Sequence, residues 1–167
     1  MTLGGGFALW VILCFLVARR FPAYPAAIGA AALYLGAWLA GYYVTDARLM
    51  GVPVAAMSPV AHPWLTLYVP ASVGIGVLAR RSARAGVLGD LALSLPLLLA
   101  LPEATFMWRG GWQVGLVAGA APMLIALLAV WREWCRRPVR LWMVALGVAC
   151  GAAGIFAILH WAMYYPA

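Results

Sequence analysis

The sequence predicts an all-α, polytopic integral membrane bundle of about six transmembrane helices arranged as three hairpins. Three observations predict it. Of the 167 residues, 67% are hydrophobic and 9% charged, and mean hydropathy is +0.99. A soluble domain of that size needs more polar surface to cover its core. The apolar residues fall into runs close to the length that crosses a bilayer. Basic residues gather in alternate connections between those runs.

Six spans follow in order, forming a single transmembrane domain over 1–167. The first covers about 3–18 and the second 24–44. The third covers 61–79, the fourth 86–101, the fifth 112–131 and the sixth 141–163. The first and fourth are short for a bilayer crossing, so five spans or a re-entrant segment is the competing arrangement. Met1 to Ala18 lacks a basic leading region, and its Arg pair follows the apolar run. This is the pattern of a first span and not of a cleaved signal.

All eleven basic residues are Arg, and net charge is +7. Arg19 and Arg20 follow span one. Arg80, Arg81 and Arg84 follow span three. Arg132, Arg136, Arg137 and Arg140 follow span five. Arg48 and Arg109 lie in the other connections. The positive-inside rule then places the Arg-rich turns in the cytoplasm and both termini outside; the all-Arg, Ala/Gly-rich composition makes a bacterial plasma membrane the expected location. Trp64, Trp108, Trp112 and Trp161 fall near the outer boundary, and Trp131, Trp134 and Trp142 near the inner one. Indoles prefer that depth. The arginines are explained by orientation and lipid headgroups, so nucleic acid is set aside as a partner.

Small residues recur at helical spacing. Gly115 with Gly119 and Gly147 with Gly151 form GxxxG pairs, and Gly29, Ala32, Gly36 and Ala40 share a face of span two. Such faces let helices approach closely in lipid, within the chain or toward a membrane-protein partner or second copy. Pro70, Pro96 and Pro122 lie inside successive spans, where each removes a backbone donor and favours a kink.

Polar residues at membrane depth are the functional clues. At 1.5 Å rise per residue, Tyr42, Glu103 and His160 each lie about 25–29 Å from the cytoplasmic start of their spans. His62 opens span three at that same outer level, and Asp46 and Arg109 sit just above. Together they could line an outward-facing pocket for a small amphipathic or anionic molecule, with Arg109 pairing a carboxylate or phosphate. The competing reading is that polar residues collect at the interface because polarity is tolerated there. Asp90 stands apart, an intramembrane acid about 9 Å into span four. It either carries protons or cations, or it turns back to the headgroup level or pairs with Arg80, Arg81 or Arg84, the paired reading being favoured.

Motifs for catalysis are lacking: there is no GxSxG, no P-loop, and no Cys beside a His. Cys14, Cys135 and Cys150 form no CxxC pair, and no HxxxH or HExxH spacing supports a metal. No catalytic residue, metal or cofactor is expected. The favoured function is a non-catalytic structural or accessory subunit of a membrane complex. The alternative is a small-molecule binding or transport component that uses the outer pocket.

Overall fold

The computed structural model describes residues 7–51, 63–109 and 112–164. Within these, side chains are described except at 7, 46, 49, 50, 63–65, 102–109, 112–119 and 154–164. The described residues form helices and turns, with no strand among them. In order the helices are α1 (Phe7–Ala18), α2 (Tyr24–Met50), α3 (Pro63–Ser82), α4 (Val87–Ala92), α5 (Ser94–Arg109), α6 (Trp112–Arg136) and α7 (Leu141–Tyr164). The chain divides into two compact units, residues 13–80 and residues 1–12 with 81–167.

Local chemistry explains the boundaries. Helix α2 begins after Ala23 in extended conformation, with Pro25 in its first turn, where a missing N–H costs no helical bond. It runs past the expected end at Val44 and stops at Gly51, whose φ of 65° is the left-handed cap that glycine adopts without strain. Gly86, at φ 119°, turns the chain into α4 in a region closed to other L residues.

The expected fourth span is broken. Helix α4 ends after Ala92, and α5 starts at Ser94. Pro96 accounts for the break, because it cannot donate to the Ala92 carbonyl four residues back. The amide of Leu93 is shared between the carbonyls of Gly89 and Asp90, and the Ser94 hydroxyl donates to Leu91 O at 2.6 Å. By contrast, Pro70 and Pro122 sit inside α3 and α6 without interrupting either.

In the unit of residues 13–80, α2 and α3 pack antiparallel. Ala27, Ala31, Leu35, Leu39 and Tyr43 form a buried stripe on α2 at four-residue spacing. Gly76 lets the two backbones meet: Ile28 Cα lies 2.6 Å from where a Cβ on Gly76 would stand. Nearer the far end, the Tyr68 hydroxyl rests against Gly36 and donates to Ala32 O at 2.7 Å. The C-terminal half of α1 joins here, with Cys14 Sγ 3.7 Å from Ala31 O.

In the other unit, α5 packs along α6 and α7, and α4 packs on α7. Leu93, Val130, Val139 and Val144 form its apolar core, with Leu97 against them. Gly147 and Gly151 are closely approached by Ser94 and Leu98. This small-residue pair of α7 is therefore filled from within the chain.

Among the described residues, one segment is long and apolar enough to cross a membrane, Tyr24–Thr45. Ala8–Ala18, Val87–Leu101 (across the break at Leu93) and Leu141–Ala153 are shorter apolar helical stretches.

Candidate functional site

Asp90, Glu133 and Arg137 converge where α3 ends, α4 begins and α6 turns into α7. Arg137 stands at the centre. Its Nη1 donates to Asp90 Oδ1 at 2.6 Å and its Nε to Glu133 Oε1 at 2.8 Å. Its Nη2 donates to the Ser82 carbonyl at 3.1 Å. The backbone N–H of Arg140 closes the arrangement by donating to Asp90 Oδ2 at 3.2 Å. Side-chain exposure is 2% for Asp90, 7% for Glu133 and 13% for Arg137.

Each partner is positioned by local structure. Gly86 turns the chain so that Asp90 falls in the first turn of α4, near the positive end of that helix. Gly89 permits this turn, since a Cβ there would collide with the Arg84 carbonyl. Glu133 and Arg137 are four residues apart at the end of α6, with Glu N-terminal to Arg, the favourable order. The turn after Arg136 then delivers the Arg140 amide to the second oxygen of Asp90. Burial acts to lower the pKa of Arg137, but the hydrogen bonds and charges of Glu133 and Asp90 outweigh it and raise the pKa above the ordinary arginine value. The guanidinium is therefore held permanently charged between two carboxylates.

Chemically this is a tie. One guanidinium joins the ends of α3 and α6 to the start of α4, and it satisfies acids that would be costly to bury alone. The sequence pointed Asp90 to Arg80, Arg81 or Arg84; the structure pairs it with Arg137, 47 residues away. Sequence reasoning missed Glu133 and Arg137. The available signal was their four-residue spacing on one helix.

Of the residues assigned to an outer pocket, Tyr42 alone has a described side chain. It stacks on Trp38 at 5.9 Å, meets Tyr43 edge-on at 5.3 Å, and packs with the buried pair Leu39 and Tyr43. His62 lies outside the described residues. Asp46, Glu103, Arg109 and His160 lie on α2, α5, α5 and α7, and their side chains are outside the described set. The same holds for Gly115 and Gly119, on α6.

Comparison with protein-family models, curated proteins and solved structures finds no match to this chain. Its function is read from its own residues.

Proposed function

We propose that the chain is a multi-pass integral membrane protein that serves as a non-catalytic structural or accessory subunit of a membrane complex. The observation that carries this reading is the extent of large apolar side chains on the surface. Large apolar side chains face outward: Leu33 is 79% exposed, Val69 63% and Leu124 58%. Buried polar side chains include Asp90, Glu133, Ser72, Ser82 and Ser94. In water such a surface would drive aggregation; in lipid it is solvated. The ionised cluster at Arg137 supports the non-catalytic part, since its carboxylates are engaged by guanidinium and backbone.

The outer face of α2 supports the subunit role. Ala26, Gly29, Leu33, Ala37, Ala40 and Val44 are all exposed and recur every three or four residues. Gly29 has no atom within 4 Å of a built Cβ. A face this smooth lets a partner helix approach closely in lipid.

The test begins with alkaline extraction, in which the protein should stay with the membrane pellet. Native mass spectrometry in mild detergent should then show one protein partner at fixed stoichiometry. Ala37→Trp should abolish that partner while leaving the unfolding temperature unchanged. Release by alkali would overturn the membrane reading. A protein without a partner but with a small-molecule adduct, lost on changing Arg109 and His160 to Ala, would overturn the subunit role in favour of the outer pocket.

A further inference from the structure

Three exposed arginines and three exposed tryptophans surround the α6–α7 turn, and we infer that this turn binds the phosphate headgroups of anionic phospholipids. The inference rests on the membrane reading above and names a lipid class for one part of the surface.

The charge argument comes first. Of the four arginines between 132 and 140, Arg137 is neutralised by Asp90 and Glu133. Arg132, Arg136 and Arg140 are exposed, and none of the three forms an ion pair among the described residues. The turn therefore displays three guanidinium groups outside any ion pair, and its four arginines against two carboxylates leave a net positive charge. Their guanidinium forks suit a phosphodiester, which accepts paired hydrogen bonds.

The second argument is geometric. At about 100° per residue, Trp134, Trp131, Arg132 and Arg136 follow one another around about 200° of α6, and Glu133 lies in the remaining arc. Burial agrees: Trp131 is 58% exposed and Trp134 46%, whereas Glu133 is 6% exposed. The two indoles meet edge-on at 5.4 Å, forming one aromatic shelf beside the arginines.

The third argument selects the partner. Along α6 the exposed surface passes from Leu124, Leu127 and Leu128 through the indoles to the arginines, within about 18 Å. Helix α7 repeats the order in reverse, from Arg140 through Trp142 to Leu146. Acyl chain, glycerol backbone and phosphate follow one another over the same depth in a lipid leaflet. A nucleic acid or acidic peptide would engage the arginines but has nothing to match the apolar and indole bands.

The experiment uses the full chain in mild detergent micelles doped with phosphatidylglycerol or with phosphatidylcholine of identical acyl chains. Retained lipid is counted by native mass spectrometry. Phosphatidylglycerol should be preferred by at least about tenfold, and the triple variant R132Q/R136Q/R140Q should lose about a hundredfold of that affinity. The R132K/R136K/R140K variant should keep most of it, and R48Q should keep all of it. Circular dichroism and the unfolding temperature of the Gln variant should match the parent. Equal retention of both lipids would overturn the inference and leave the membrane reading standing. So would undiminished phosphatidylglycerol binding by the Gln variant, or displacement of that lipid by inorganic phosphate. A protein that stays dispersed without detergent and retains neither lipid would overturn the membrane reading as well.

Discussion

Arg137 differs from the three arginines around it by where its donors go. It spends three N–H groups on Asp90, Glu133 and the Ser82 carbonyl, while Arg132, Arg136 and Arg140 face outward. Removing it would leave the buried Asp90 carboxylate without its counter-ion and take a cation away from buried Glu133. Arg137→Met should therefore cost about 3–5 kcal/mol, read as a large fall in unfolding temperature in detergent. Arg132→Gln, exposed and unpaired among described residues, should stay within about 0.5 kcal/mol. In Asp90→Asn/Arg137→Met the loss should be smaller than the sum of the single variants, because the charge left behind is reduced. A matching loss from Arg132→Gln would show that the tie is not the source of the effect. The pH dependence follows from the sign of the shift. Arg137 has a raised pKa in the fold, so its contribution is complete below its unfolded pKa and is lost only above the raised one. Thermal stability should accordingly be flat through the neutral and mildly alkaline range, with no step from this group.

At the scale of the helix, glycines divide by what stands over them. A Cβ on Gly147 would meet Ser94, whereas a Cβ on Gly29 would meet nothing within 4 Å. Gly147→Ala should destabilise the bundle by about 1–3 kcal/mol through overpacking. Gly29→Ala should be neutral or stabilising, since Ala is the better helix former by about 1 kcal/mol. Equal effects on the unfolding temperature would sink the assignment of Gly147 to a packed contact. The difference between these two glycines was not legible in sequence, where both belong to small-residue faces. Helix existence was legible, because long apolar runs bounded by Pro25, Gly51 and arginine pairs leave few other solutions. The interruption at Leu93 was legible only as a proline inside a span. Pro70 and Pro122 carry the same signal yet leave α3 and α6 continuous. What separates them is the tertiary setting: Leu93 and Ser94 find alternative carbonyl partners, and α4 and α5 each have α7 to pack on. Likewise Asp90 announced itself as a buried acid needing a cation, but the choice of Arg137 over nearer arginines depends on how α4 and the α6–α7 turn meet.

For the molecule as a whole, the chain carries its own reporter of the direction in which the arginine-rich turns face. Cys135 is exposed between Trp134 and Arg136 in the turn proposed to bind headgroups. Cys14 is buried, so labelling of native protein at that position is not expected, and Cys150 is removed by substitution. If nine arginines hold their turns in the cytoplasm, an impermeant maleimide added to intact cells should leave Cys135 unmodified. It should react once the membrane is opened. Ala85→Cys, in the exposed turn before α4, should behave the same way in a background lacking the native cysteines. Arg48→Cys, exposed near the end of α2, should label in intact cells. The three sites test one topology, because the positive-inside arrangement places residue 48 opposite 85 and 135. A reversed pattern would invert the molecule and move the turn proposed to bind phospholipid to the outer leaflet. Labelling of all three in intact cells would mean that the chain does not cross the bilayer between them. The apolar outer faces of α2, α3, α6 and α7 would then need a protein partner in place of lipid.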